Sequence, residues 1–523
     1  MAVLTKDAAA ERGNELALAD EVLTRTWSEL DARVNQLVHA MRDAGIGAGD
    51  TIALIAGNSV EWFEVMFLAA HAGITVVPVN WHLVGPEIAY ILSDSGSKAV
   101  IAGHQFEAAV AKALADPSTA SVELALITTG PQAPITDRFE SYDEFVAGGS
   151  ADEPENQSFG GPMFYTSGTT GHPKGVNGSL ASMPPGSDPS IWQLIGGGIA
   201  GFLPTPGRTA LCGPAYHSAQ WAFSFLPLVV GSSIVMQHKY DSAGLLRLID
   251  EHAVTNVHLV PTQMKRLADL PDDVKANFDG SSLAMVLHGA APCPPGVKQT
   301  MIDWWGPKIS EYYGSTEGSV ITMIDSAQWM AKGGSVGPPL PGFEILVIDD
   351  AGQQVGPNES GTLYFRSGAD FSYHNAPEKT AEAHLEPGVF TTGDVGSLDD
   401  DGYLWLSDRK IDMIISGGVN IYPAEIEGAL GDHPLVTDVA VIGVPNDDFG
   451  EEVKAVVVLS DRVLPEDQAA TLDQLSAYCR ENLAGYKVPR SFDVVDGLPR
   501  TGTGKVQKRK LRDPYWADTD RSI

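Results

Sequence analysis

The chain has 523 residues, with 67 acidic against 34 basic side chains and a formal charge of −33. Hydrophobic residues at 43% and charged residues at 19% belong to a folded protein with room for several domains, not to a disordered one. A surface this negative repels nucleic acid and anionic lipid, so neither is expected as a general partner.

The polar, alanine-rich segment 1–14 has no apolar stretch of the kind a signal peptide needs, and no run reaches the roughly 18 apolar residues of a membrane span. A cytoplasmic location without integral membrane association is expected. Cys212, Cys293 and Cys479 lie far apart, which supports neither a disulfide framework nor a zinc site.

In chain order, apolar runs at 51–56 and 75–79 flank a helix-like segment at 60–72, a strand–helix–strand order that implies parallel strands in an α/β layer. Residues 165–176 then read Tyr-Thr-Ser-Gly-Thr-Thr-Gly-His-Pro-Lys-Gly-Val. Small and hydroxyl residues before Lys174 suit a loop that wraps a polyphosphate with backbone N–H groups, hydroxyls and one ammonium. It is not the common P-loop, because Gly175 follows the lysine where Ser or Thr is needed. Residues 183–190 form an irregular, proline-bearing loop. The run 196–201 (Gly-Gly-Gly-Ile-Ala-Gly) satisfies a dinucleotide-binding pattern formally, but a proline-bearing segment follows it, which argues against that fingerprint.

The strand–helix pattern recurs at 256–260 with 262–268, and at 283–287 with a helix near 296–304. Residues 312–318 (Tyr-Tyr-Gly-Ser-Thr-Glu-Gly) place an aromatic beside a glycine, which can stack a planar base. The Thr316 hydroxyl and the Glu317 carboxylate can then serve a phosphate and its Mg²⁺. A tight turn with a solvated glutamate fits the same residues. Past about 335 the texture changes: short strands at 343–348, 361–365 and 403–406, separated by Asp-Gly and Gly-Pro turns, suggest a small antiparallel barrel or sheet. Asp394, in Thr-Thr-Gly-Asp, reads either as a turn cap or as a carboxylate for ribose hydroxyls, helped by Arg409. A domain boundary is expected near 408–412. The tail has strands at 439–444 and 454–459 and a helix at 472–483, a small α+β unit. In 499–505 (Pro-Arg-Thr-Gly-Thr-Gly-Lys), two glycines before Lys505 give either a loop that delivers one charge into a pocket or a basic tail.

Taken together, these segments resemble the adenylate-forming superfamily of acyl-CoA synthetases, firefly luciferase and peptide-synthetase adenylation domains. The resemblance runs from Trp27 to Lys505 and is most specific in the phosphate loop and in 408–427 (DRKIDMIISGGVNIYPAEIE). It implies a large N-terminal domain over 1–410, of parallel-sheet α/β layers plus a small β-barrel, followed by a small mobile α+β domain over 411–523. Thr166, Ser167, Gly168, Thr169, Thr170 and Lys174 would hold the ATP phosphates. Gly289, Ala290, Ala291, Tyr313 and Gly314 would wall the adenine, and Asp394 and Arg409 would hold the ribose. Thr316 would meet the α-phosphate, Glu317 the Mg²⁺, and Lys505 would serve adenylation. Gly417, Gly418 and Tyr422, in 416–423, would line the coenzyme A channel. The hinge, usually a charged residue at the place of Ile411, has its charge one position early, at Lys410, and either residue fits.

The resemblance implies an acid:CoA ligase that forms an acyl-adenylate, expels pyrophosphate, and passes the acyl group to coenzyme A. Loading of a separate carrier protein and a non-catalytic nucleotide binder stand as alternatives. The segment 215–218 (Ala-Tyr-His-Ser) lacks the aspartate of amino-acid-activating members. His217 fits a place beside the substrate carboxylate or in the core, and Trp221, Phe223 and Phe225 fit an apolar acyl pocket or ordinary core. The string 288–293 with Trp304-Trp305-Gly306 is most similar to bacterial fatty-acyl and sterol- or bile-acid-type CoA ligases, which points to a hydrophobic acid. A homodimer is possible by analogy with relatives.

Overall fold

A computed structural model describes the chain except residues 1–3, 129, 131–133, 167–172, 179–182, 184–185, 201, 369, 410–411, 417–418, 447–448, 502–504 and 518–523, and the side chains of 199–200, 408–409 and 419–420. A first sheet of six parallel strands runs in the order 140–141, 124–127, 99–102, 51–55, 75–78, 161–162. A second, of eight strands, runs 319–324, 309–315, 285–288, 256–259, 208–211, 233–236, 16–19, 24–26. It is parallel except for a hairpin at each edge.

The strand Thr51–Ile55 is an unbroken apolar run because both of its faces are covered. The helix Val60–Ala72 starts where the Ser59 hydroxyl accepts the Trp62 N–H and stops at left-handed Gly73. With Ser218–Val229 it fills the layer between the sheets. One core cluster joins Ile52 and Leu54 of the first sheet to Leu18, Leu211 and Ile234 of the second through Phe63, Phe67, Trp221 and Phe225. The glycines of 196–198 lie inside a helix, Ile191–Ala200. A Cβ on Gly196 would stand 2.7 Å from the Leu226 carbonyl oxygen, so its missing side chain lets this helix close on 218–229.

The strands after 335 form a six-stranded antiparallel sheet, with Ile345, Leu363, Phe365 and Phe390 packed together with Val176 and Ile321. The hairpin of Phe164–Thr166 and Lys174–Asn177 takes Ser372–Tyr373 as its third strand. The tail is a five-stranded sheet from 414 to 494, covered by Pro423–Gly431 and Gln468–Asn482 around Ile426, Leu430, Val441 and Leu475. This is the mixed α/β architecture expected, with parallel layers first and a smaller α+β unit last. The helix expected at 60–72 and the strand expected at 343–348 have those same ends in the structure. No helix among the described residues is long and apolar enough to cross a membrane.

Candidate active site

The C-terminal ends of the second sheet's parallel strands carry most of the site. Ile309–Ser315 and Ser319–Ile324 form an edge hairpin with a bulge between Tyr313 and Gly314, and its turn presents Thr316 and Glu317. The bulge changes which way successive side chains face. Tyr312 points inward under Gly289, where an added Cβ would stand 2.7 Å from the tyrosine ring, so the wall at 289 tolerates no side chain. Next to it Ala290 takes a left-handed φ of 70°. Tyr312 Oη lies 2.9 Å from His258 Nε2, and the Gln220 amide donates to His258 Nδ1 at 2.8 Å. Gln220 Nε2 has only hydrogens to offer, so His258 is neutral and its Nε2–H donates to the tyrosine.

Tyr313 points the other way. Its hydroxyl donates to Asp394 Oδ2 at 2.5 Å, and the Thr392 hydroxyl donates to the same oxygen at 2.7 Å. Asp394 faces Arg409 in the register of the antiparallel pair 394–398 and 404–409. The residues assigned by resemblance to the base and to the sugar are therefore neighbours.

Of the residues assigned by resemblance to the phosphates, Thr166 and Lys174 face each other across the hairpin, while Ser167, Gly168, Thr169 and Thr170 lie outside the described residues. The Lys174 ammonium sits 5.1 Å from the centre of the Tyr373 ring, and Tyr373 Oη donates to Glu317 Oε1 at 3.0 Å. Thr316 Oγ1 is 3.0 Å from the Ser218 hydroxyl, at the start of the helix 218–229. Sequence reasoning missed both partners. Ser218 stood in the quoted segment without a role, and Tyr373 lies in no motif.

His217 caps that helix, its Nδ1 accepting the Ala219 N–H at 3.3 Å. Burial pulls it down to about 3, with the charge of Lys505 acting in the same direction. It is a neutral imidazole, and Lys505 is near it. The Lys505 N–H donates to the Thr501 hydroxyl at 3.1 Å, and the Thr501 N–H to the Lys505 carbonyl at 2.7 Å, which ties Lys505 to Thr501. Between the two halves of the chain, the Asp432 carboxylate faces the Gly296 N–H in the first turn of Pro295–Trp305.

Trp221 packs against Phe164, Trp192 and Phe225 at 5.5–5.7 Å, and its indole N–H has no partner among the described residues. That is the core side of the helix. The side turned to Tyr312 carries Ala219 and Phe223, with Phe223 stacked on His258 at 5.1 Å. Tyr422 begins the helix Pro423–Gly431, while Gly417, Gly418, Lys410 and Ile411 lie outside the described residues.

Behind the Gly289 wall lies a buried ion pair, Lys298 Nζ to Glu311 Oε2 at 2.6 Å, with His288 Nε2 3.7 Å from the same oxygen. Burial pulls Lys298 down and Glu311 up, and each partner opposes that on the other. His288 is held well below its ordinary value by burial first and by the Lys298 charge second.

For a divalent ion, Glu317 offers a hard carboxylate oxygen beside the phosphate hairpin. No group of three or more metal-type side chains occurs among the described residues. A lone carboxylate suits Mg²⁺, which binds mainly through waters and substrate phosphates.

The family model described as AMP-binding enzyme matches residues 5–371, and that of the AMP-binding enzyme C-terminal domain matches 425–505. A feruloyl-CoA synthase from Amycolatopsis sp is 34% identical over 498 residues, 93% of each chain. The fatty acid–[acyl-carrier-protein] ligase ScoC from Streptomyces coeruleorubidus is 30% identical over 97% of this chain and 95% of its own. Among solved structures, the anthranilate CoA ligase AuaEII in complex with anthranoyl-AMP superposes with a TM-score of 0.85 at 26% identity, covering 98% of this chain and 96% of that one. Two domain matches in order, relatives at 30% and 34% identity along nearly the whole length and a shared fold agree: the chain belongs to the AMP-binding enzyme family, as an AMP-forming acid–thiol ligase.

Proposed function

We propose that the protein activates a hydrophobic carboxylic acid as its acyl-adenylate and transfers the acyl group to coenzyme A. The observation that carries this reading is the convergence of Lys174, Glu317, Thr316, Tyr313 and Asp394 from three sheets, tied by Tyr373 and by direct hydrogen bonds. In it, 166–174 grips the phosphates, Tyr313 and Gly289–Ala291 flank the adenine, and Asp394 with Arg409 holds the ribose. A carboxylate oxygen of the acid bonds to the α-phosphorus as the bond to pyrophosphate breaks. Negative charge grows on the phosphoryl oxygens, and in this reading the Thr316 hydroxyl and the Lys505 ammonium stabilise it. Glu317 would hold Mg²⁺ at this site, and the ion would supply further neutralisation of the phosphate charge. The thiol of coenzyme A then attacks the acyl carbon, and AMP leaves with the oxygen that came from the acid.

Support for an apolar acid comes from the hydrophobic cluster next to Ser218, in which Leu203, Ala219, Phe223, Leu287 and Met323 pack together. His217, held neutral, presents no charge to an acyl tail. Transfer to a carrier protein is the second reading, favoured by the likeness to ScoC. Incubation with ATP, Mg²⁺ and a panel of aliphatic and aromatic acids, with coenzyme A or with a phosphopantetheinylated carrier, separates the two. Acid-dependent pyrophosphate release with rapid AMP turnover only when coenzyme A is added is the expected result. Turnover with the carrier alone would select the second reading.

The Lys505–His217 proximity and the Asp432–Gly296 contact fit the domain arrangement for the first of these steps. A carboxylate against a helix N-terminus stabilises by a small electrostatic increment, and removing Asp432 is expected to slow adenylation by about two- to fivefold. Thioester formation from a synthetic acyl-adenylate should be unchanged or faster in Asp432→Ala, and slowing of both steps alike would remove the contact from this role.

A further inference from the structure

Tyr373 belongs to no sequence motif, yet it is the side chain on which the two charged residues of the phosphate site meet. Ser372–Tyr373 joins the edge of Lys174–Asn177 with Val176 opposite Tyr373. Lys174, two residues before Val176, is on the same face and is the diagonal neighbour of the tyrosine. Its ammonium rests over the ring at 5.1 Å, within the range of a cation–π contact. The phenol donates to Glu317 Oε1 at 3.0 Å. The ring itself is fixed: Phe371 meets it edge-on at 5.3 Å, and the Tyr373 N–H donates to the Thr380 hydroxyl at 2.9 Å. Among the described residues no ion pair joins Lys174 to Glu317.

We infer that Tyr373 is a positioning residue that keeps Lys174 and Glu317 apart, each with its charge uncancelled, for the incoming metal–nucleotide. This rests on the adenylation reading above. Lys174 and Glu317 touch the same side chain, and without it the two opposite charges attract; a direct pair would offer a phosphate no net positive charge and a metal a carboxylate already neutralised. The aromatic ring gives the ammonium a weak, directionless partner that a phosphate displaces easily. The phenol occupies one carboxylate oxygen and leaves the other as the metal ligand. One tyrosine thus orients both the phosphate contact and the metal contact before either ligand arrives, which lowers the ordering cost of binding.

Calorimetric titration of wild type, Tyr373→Phe and Tyr373→Leu with ATP, with Mg²⁺ and with the metal chelated, and without acid or coenzyme A, tests this. Tyr373→Phe keeps the ring but drops the phenol bond to Glu317, so its Kd for Mg·ATP should rise by about 3- to 10-fold while metal-free ATP binding changes by less than about twofold. Tyr373→Leu loses the ring as well and should weaken both titrations. In a Glu317→Gln background, which itself weakens Mg·ATP binding, adding Tyr373→Phe should cause no further loss, because the phenol acts through that carboxylate. Wild-type affinity for Mg·ATP in Tyr373→Phe overturns the inference, as does an equal loss with and without metal, which a merely structural tyrosine would give. If Tyr373→Leu fails to fold, Tyr373→Phe decides alone. Should the wild type itself not bind Mg·ATP, the adenylation reading falls, a result distinct from a silent Tyr373.

Discussion

Replacing Lys505 by alanine should lower the rate of acyl-adenylate formation by about 10²- to 10³-fold, the usual cost of removing one preorganised charge from a developing anion. The same variant should pass the acyl group from a synthetic acyl-adenylate to coenzyme A within about threefold of wild type, since no new charge forms on phosphorus in that step. The asymmetry follows from where the lysine stands. Its charge reaches His217 at the start of the helix 218–229, and the neighbouring Ser218 touches Thr316. The Lys505 N–H donates to the Thr501 hydroxyl and the next residue, Val506, pairs with Arg500, so the backbone that carries the ammonium is anchored and is not a loose tail. Rapid-quench measurement of each half-reaction reads both rates, and equal losses would take Lys505 out of the first step.

The second large effect is on stability. His71, His258 and His288 are buried, at 0%, 3% and 0% exposure, and burial holds His71 and His258 down to about 3 and His288 well below its ordinary value. Two of them have bonds that require the neutral ring: His71 Nε2 accepts the Leu4 N–H at 3.1 Å, and His258 Nδ1 accepts from Gln220. Below about pH 6.5 the unfolded chain takes up protons on these rings that the folded chain refuses. Their contribution is whole above that pH and is lost as pH falls through it toward 3. By pH 5 His71 and His258 each cost about 2 kcal/mol relative to pH 7.5, on the order of 4 kcal/mol together, and His288 adds to the loss in the same direction. His238 works in the opposite sense, because Asp20 and Glu21 hold it up, and it returns part of the loss. Urea unfolding at pH 7.5 and pH 5 should show the drop. Constant or rising stability across that interval would mean that the rings are charged in the folded state.

The parallel layers were legible because strands covered on both faces leave unbroken apolar runs, as at 51–55, and because the helix 60–72 lies between recognisable stops, Ser59 and Gly73. What sequence spacing left open was orientation. Trp221, Phe223 and Phe225 lie on one helix, but a residue two positions from another faces elsewhere, so Trp221 and Phe225 join the core while Phe223 meets His258 and Tyr312. The adjacent tyrosines 312 and 313 diverge for the analogous reason in a strand, sharpened by the bulge after Tyr313. Lys298 reads as an ordinary solvated lysine, and only the fold brings Glu311 to it in the interior. Tyr373 was the least legible. It lies in a two-residue strand, and its role depends wholly on register with a hairpin some two hundred positions earlier in the chain.

In the proposed reaction the acid's own oxygen becomes bonded to the α-phosphorus of ATP. Wild-type enzyme turned over with coenzyme A and a carboxylic acid enriched in ¹⁸O at its carboxyl group tests this by mass spectrometry of the products. AMP should carry one ¹⁸O and pyrophosphate none; label in pyrophosphate or inorganic phosphate, or unlabelled AMP alongside the acyl thioester, would contradict acyl-adenylate formation.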